Sequence, residues 1–478
     1  MIIKIIHKAP ILNSFHFFKQ SMFLKKVPVV KGVFFFGHAL EFGRDPLNFL
    51  LKLQHENERI VQLRIVYLNV NLLLNAEDIK YVLQEHSKAF IKGRAYRVLG
   101  QILGNGMLTS HGEFWHRQRK LAQPAFYKQR LALLVDIMND ETMTMIKRWE
   151  TTIEQQNGSD ILAMTKEMMA TTLLIVTKSL FGVSIDTNQI AHISYDIDTL
   201  NEILSVQMRT PVRFPMWIPT KVNQQFKASS NRLNAVIQEI ISTRRNAIKI
   251  NPEAQFDDLL QMLITAKDED TNEQMTDKQL RDEIVTLFIA GHETTAMAMS
   301  WAMYLLSQHP EIVQKMRSES QEILGENLPN FENIRQLTYT SQVVSEVLRL
   351  YPPAWAISRQ VMENQNIGEY LIPAKEQVFF SPYLLHRNKA YWTNPEEFNP
   401  DNFLPEQIKQ RPSYAYLPFG GGPRLCIGNN FALMEMQIML ALLVKYFDFE
   451  KIEEVFPDPQ ITLKPKGNMP IKVSRLKK

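Results

Sequence analysis

The chain has one cysteine in 478 residues, Cys426. A single thiol excludes an intramolecular disulfide and fits a reducing compartment. It also excludes a cysteine-held iron–sulfur cluster, which needs several thiolates. No Gly/Ser-rich or Pro-rich linker breaks the chain, nothing repeats at a fixed period, and no low-complexity tract occurs. Length alone suggests two or three domains, but without a linker the reading is one large unit over 27–478. A dense basic stripe is missing too. The net charge is +4 with a pI near 8.8, and Lys and Arg are dispersed, which argues against a nucleic-acid partner. No long apolar run exists at the N-terminus. In Met1 to Leu24 the apolar residues are broken by Lys4, His7, Lys8, Pro10, Asn13, His16 and Lys19, short of the about 20 residues a spanning helix needs. Segment 1–26 is therefore expected to be no transmembrane anchor, with peripheral membrane contact through Phe15, Phe17, Phe18 and Phe23 as the alternative to ordinary packing. The expectation is a cytoplasmic monomer. No Gly-rich dinucleotide fingerprint and no flavin domain appear, so any electrons must come from another protein.

What is present is an ordinary globular composition, 45% hydrophobic and 22% charged. Ile60 to Leu74 reads as a β-hairpin, and Ala76 to Gln84 as a short helix. Ser87 to Gly112, punctuated by five glycines, reads as an irregular and functional stretch. Helical periodicity dominates from Glu113 to about residue 250, with breaks near Asn157 and between Pro211 and Pro219. Thr276 to Gln308 reads as a long helix opened by a Thr276–Gln279 capping box. Ile284 to Leu306 is apolar almost all round, which marks a helix buried in a large core. Further helices fall at Thr338 to Leu350 and Asn429 to Tyr446. Gln377 to Phe380 reads as a strand, and Ile461 to Leu476 as a hairpin turning at Gly467-Asn468. The fold class is mainly α with small β-sheets (α+β).

Three short strings carry chemistry. The first is Phe419-Gly420-Gly421-Gly422-Pro423-Arg424-Leu425-Cys426-Ile427-Gly428. It places the thiol after a glycine turn and just before a helix, where unpaired N–H groups favour a thiolate. A thiolate is a strong ligand for haem iron. Gly422 and Gly428 would let backbone approach a flat macrocycle, Phe419 could flank the sulfur, and Arg424 could reach a carboxylate through its fork. Taken alone, a lone cysteine is more often a small buried hydrophobe. The second string is Ala290-Gly291-His292-Glu293-Thr294-Thr295 inside the long apolar helix. A mid-helix glycine costs about 1 kcal/mol relative to Ala, and a Thr hydroxyl can bond a carbonyl one turn back. Together they could open a notch, or they could be a satisfied polar patch. The third is Glu346 and Arg349, at i, i+3 on one face of an apolar helix. On a surface such a pair contributes little; among Val343, Val344, Val347 and Leu348 it is expected to be buried.

With every fixed position of F-x-x-G-x-R-x-C-x-G filled, the sequence resembles the cytochrome P450 family from about Pro28 to the C-terminus, in the manner of soluble bacterial-like members. The A-G-x-E/D-T string and the E-x-x-R pair agree. Trp115 and Arg119 match the family's W-x-x-x-R, and Arg359 follows Tyr351-Pro352-Pro353 where the family has another cation.

The resemblance implies a haem-thiolate monooxygenase with haem b (iron protoporphyrin IX) and Cys426 as the iron ligand. It implies that Trp115, Arg119, Arg359 and Arg424 hold the haem carboxylates, and that Ala290, Gly291, Phe419, Gly420 and Gly428 lie against the macrocycle. Thr294 and Glu293 would handle dioxygen and its protons. The expected partners are a small apolar substrate, dioxygen, and a separate ferredoxin or flavodoxin with its NAD(P)H reductase, docking near Arg117, Lys120, Lys128 and Arg424. Tyr351 to Trp355 resembles members acting on fatty acids or carotenoids. A further carboxylate contact from Arg94 or Arg97 is the least supported expectation. The chain departs from the family at Pro400-Asp401-Asn402-Phe403, where Asn402 stands in place of an Arg, which should weaken the network around Glu346. A peroxide-driven haem enzyme or isomerase, and a non-catalytic haem sensor, are the alternatives.

Overall fold

The computed structural model describes residues 24–209, 215–251, 256, 258–267 and 272–476. The N-terminal segment expected to be no transmembrane anchor lies almost wholly outside these residues, as does part of the break expected between Pro211 and Pro219. Among the described residues no helix is long and apolar enough to cross a membrane.

Helices make up most of the chain. Those that build the site are α1 (Arg94–Leu103), α2 (Gly112–Ala122), α3 (Val135–Gln155), α4 (Met164–Phe181), α5 (Thr187–Arg209), α6 (Lys221–Ile250), α7 (Asp277–Leu306), α8 (Thr338–Leu350) and α9 (Asn429–Tyr446). The strands are β1 (Lys25–Lys26), β2 (Ile60–Ile65), β3 (Leu68–Leu73), β4 (Phe90–Lys92), β5 (Ser159–Ala163), β6 (Ile357–Val361), β7 (Gln365–Ile367), β8 (Tyr370–Ile372), β9 (Gln377–Phe380), β10 (Phe447–Lys451), β11 (Pro457–Pro459), β12 (Leu463–Pro465) and β13 (Pro470–Arg475). One five-stranded sheet has the order β2-β3-β9-β6-β4, and three smaller sheets stand apart from it.

α7 is the axis of the molecule. Its 30 residues span about 45 Å at the α-helical rise. The capping box forms as the sequence indicates: Thr276 Oγ1 accepts the Gln279 N–H at 3.2 Å, and Gln279 Oε1 accepts the Thr276 N–H at 2.8 Å. Phe288, Met297, Met299 and Trp301 on α7 are fully buried, and α7 packs along α4 and touches α8 and α9. The β2–β3 hairpin forms with Ile65 opposite Leu68 and the turn at Val66-Tyr67.

Two expectations about local structure need correction. The stretch Ser87 to Gly112 is not irregular throughout: it holds β4 and the ten-residue α1. Its glycines punctuate α1 rather than disrupt it. Gly93 is the N-cap and Gly104, at φ +60, the C-cap. The C-terminal hairpin does not form either. β12 pairs with β11, while β13 lies between β10 and β5. Gly467, at φ +84, turns the chain from one sheet to another. Pairing with β5, some 300 residues earlier in the chain, leaves no local trace in sequence.

Candidate active site

The loop before α9 is closed by its own backbone. The Cys426 N–H donates to Phe419 O at 3.0 Å, and the Leu425 N–H to Gly422 O at 3.1 Å. Gly422 has φ +62, and a Cβ there would lie 1.9 Å from Leu83 O. Gly422 therefore serves the packing of the loop onto residues 81–85. A Cβ on Gly428 meets only the Phe126 ring at 3.7 Å, so protein leaves that side open. Gly420, at φ +73, likewise has nothing within 4 Å. Phe419 packs partly buried against the main core.

The Cys426 side chain keeps accessible surface, yet surrounding protein raises its thiol pKa. The Gly428 N–H at the start of α9 and the Arg119 charge pull it down, as the helix-start argument requires, but burial outweighs them. A metal charge, when present, deprotonates a coordinating thiol outright.

Around this sulfur the fold gathers cations from four elements. Arg119 on α2 donates to Leu425 O at 2.8 Å. Arg424 lies on the Trp115 ring, 3.7 Å from its centre, and donates to Ser110 O at 3.0 Å. Arg359 on β6 is buried and bonds Ser358 O. The fourth cation, Lys92 on β4, is one the sequence reading missed. It sits directly opposite Arg359 in the antiparallel β4–β6 pair and lies over Tyr96, 4.2 Å from the ring centre. Like charges directly opposed across strands repel. Burial first, then Arg359 and Arg424, push the Lys92 ammonium well below its ordinary range. Burial, Arg359 and Arg119 push Arg424 to about 10. Among the described residues none of the four meets a carboxylate. The expected contacts from Arg94 and Arg97 do not join them: Arg94 lies over Tyr67 and Arg97 bonds Gln360 Oε1.

α7 carries the residues of the Ala290 to Thr295 string. From Asp282 to Leu306 it is buried except at Ile289, Ala290, Gly291 and Thr294. Ala290 is exposed in the middle of a core helix, so these residues form one accessible strip. The Thr294 hydroxyl donates to Ala290 O at 2.8 Å. A Cβ on Gly291 would lie 3.2 Å from Val176 of α4, so this glycine also lets two core helices approach. Glu293 is not on the strip. It is 2% exposed and accepts from Asn201 Nδ2 of α5, from Thr462 Oγ1 at 2.7 Å, and from Lys464, 3.4 Å away on β12. Thr294 and Glu293 are thus neighbours in sequence that face different surroundings.

Behind the loop, Glu346 and Arg349 are both fully buried and joined by two bonds of 2.6 and 2.7 Å. Arg349 also donates to the carbonyls of His386, Pro395 and Glu397. The expected weakening at Asn402 is offset in two ways. Asn402 Nδ2 donates to Glu346 Oε1 at 3.1 Å. Arg411, lying over Trp392 at 4.0 Å, donates to Asn402 O and brings its charge toward Glu346. A bond chain leads on to the thiol loop. His386 Nδ1–H donates to Arg349 O, and His386 Nε2 accepts the Leu417 N–H at 2.8 Å. Burial pushes His386 down to about 3, so it stays neutral.

The donor set fits an iron porphyrin. A thiol, four cations without carboxylates, and an accessible strip holding Ala290 and Thr294 correspond to an iron, two propionates and a flat apolar face. A surface groove of about 700 Å³ near Tyr304, His309, Phe398 and Phe456 shares no residue with this set.

Comparison with known proteins follows the same line. The family model described as "Cytochrome P450" matches residues 27–473. The chain is 33% identical to "Cyclooctatin synthase" of Streptomyces melanosporofaciens, over 89% of this chain and 91% of that protein. It is 30% identical to "Cyclooctat-9-en-7-ol 5-monooxygenase" of the same organism, over 85% of each. It is 30% identical to "Protein LUTEIN DEFICIENT 5, chloroplastic" of Arabidopsis thaliana, over 78% of this chain and 64% of that protein.

Proposed function

The chain belongs to the cytochrome P450 family and is a haem-thiolate monooxygenase; we propose that it carries haem b, with Cys426 as the iron ligand. When bound, the haem iron supplies the activation of dioxygen, one atom of which enters an apolar C–H or C=C bond. The rest is the work of this chain. Lys92, Arg119, Arg359 and Arg424 hold the two haem carboxylates, and Trp115 orients Arg424 by stacking. Ala290, exposed on the strip, gives the flat face room, while Gly291 lets α7 approach α4. Thr294 Oγ1, which donates to Ala290 O, is the hydroxyl on the accessible strip and would hold a proton for the dioxygen chemistry. Glu293 must exchange its bonds with Asn201, Thr462 and Lys464 before it can pass a proton to that hydroxyl.

The substrate is small and apolar; the fatty-acid or carotenoid type rests on the resemblance of Tyr351 to Trp355, while the relatives' names point to a cyclooctat-9-en-7-ol in one case and lutein in another. Electrons arrive from a separate ferredoxin or flavodoxin with an NAD(P)H reductase. Lys120 and Lys128 are exposed and suit an acidic donor, whereas Arg424, engaged with Trp115 and Ser110, is not part of that surface.

The observation that carries this reading is the unpaired cation cluster beside the one cysteine. Its test is the carbon monoxide difference spectrum of the reduced protein. Wild type shows the band diagnostic of thiolate ligation, and Cys426→Ala loses both the band and substrate oxidation. Retention of that band in the variant would sink the reading.

A further inference from the structure

Asp282 and Glu283 are adjacent carboxylates on the first half of α7, 4% and 1% exposed. The chemistry above uses neither. Both hold one short loop. Asp282 Oδ2 accepts the Asn105 N–H at 2.9 Å, and Glu283 Oε2 accepts the Met107 N–H at 3.0 Å. Two glycines make this approach possible: a Cβ on Gly104 would lie 2.2 Å from the Asp282 carboxyl, and one on Gly106 2.1 Å from Thr286 Oγ1. The loop is also tied to itself, since the Thr109 hydroxyl lies within bonding reach of Gly104 O and Gly106 O. The next residue, Ser110, gives its carbonyl to Arg424. α2, with Trp115 beneath Arg424, starts two residues later. One continuous set of contacts thus runs from Glu283 to the cations beside Cys426.

We propose that Glu283 is a positioning residue: with Asp282 it clamps loop 104–110 onto α7 and so sets the Arg424 guanidinium against Trp115. The role of Arg424 in this sentence rests on the carboxylate-binding reading above; the clamp itself does not.

The surroundings of Glu283 give the clamp a pH dependence. Burial foremost, and then Asp282, push Glu283 up to about 7, while the Met107 N–H pulls it down. The loop brings only amides to it. From its own helix the facing charge is Asp282, whose Oδ1 is bonded to Arg281, itself bonded to Asn234 of α6. No other described charged group acts on it. The folded value lies above the about 4.3 of a free glutamate. Its stabilisation is therefore complete below the unfolded value and is lost as pH rises through about 7. The loop should loosen on the alkaline side.

The test uses the haem-loaded full chain and reads hydrogen exchange of the 105–110 amides at pH 6 and pH 8, with the haem reduction potential alongside. In wild type, exchange there should accelerate with pH beyond the intrinsic chemical rate. Glu283→Gln keeps an acceptor without the charge and should abolish that excess. Glu283→Ala should speed exchange about tenfold at both pH values, the size of one lost buried bond, and shift the potential. Excess acceleration persisting in Glu283→Gln overturns the clamp, and so does unchanged exchange in Glu283→Ala. Faster exchange with an unmoved potential overturns the link to Arg424. If Arg424→Ala itself leaves haem retention and potential unchanged while the loop signals stand, the carboxylate reading fails and the clamp survives.

Discussion

Two guanidinium groups, Arg349 and Arg424, sit in opposite surroundings, the first fully buried and the second half-buried. Arg349 has its charge matched by Glu346 and its N–H groups taken by three carbonyls. Arg424 has an aromatic face and a single carbonyl, with Arg359 and Arg119 nearby raising its cost. A buried charge without a partner is expensive. Among the described residues Lys92, Arg119, Arg359 and Arg424 meet no carboxylate, which is the arrangement the proposed haem carboxylates would complete.

The comparison can be broken in three places. The largest effect is expected at Glu346→Ala, which leaves Arg349 charged and alone in the core and should cost about 3–5 kcal/mol. Urea unfolding of the haem-loaded protein measures it; a loss near zero would mean that the carbonyls alone satisfy Arg349. Next comes Lys92→Met. In haem-loaded protein it removes a charge-assisted contact of about 1.5–3 kcal/mol and should speed haem loss. In haem-free protein it removes a repelled ammonium and should raise the melting temperature. Equal destabilisation of both forms would show that Lys92 is merely structural. The smallest effect is expected at Asn402→Ala, about 1 kcal/mol for one bond to Glu346, because Arg411 remains. A loss comparable to that of Glu346→Ala would show that Arg411 contributes nothing.

How much of this was legible in sequence depended on distance along the chain. The Thr276 capping box, the core-facing α7 and the thiol loop are local patterns, and each forms where the residues place it. Trp115 with Arg119, and Glu346 with Arg349, share a helix face and were legible for that reason. Lys92 was not. Its meaning comes from standing opposite Arg359, 267 positions later, and nothing near Phe90-Ile91-Lys92 signals that register. The separation of Glu293 from Thr294 was hidden likewise, because Asn201 and Thr462 reach α7 from remote elements. Arg411 lies outside the string where a cation was expected, so its approach to Glu346 depends on the fold of the loop between them.

The sequence by itself determined which residues could do chemistry: one thiol before a helix, a threonine pair beside a glycine in a core helix, one carboxylate–guanidinium pair among valines. Local periodicity and spacing fix such things within a turn or two of chain. The tertiary structure alone decided which charges were left without partners. Compensation of a buried charge depends on what lies within a few ångströms in space, and here those neighbours come from strands and loops hundreds of residues apart.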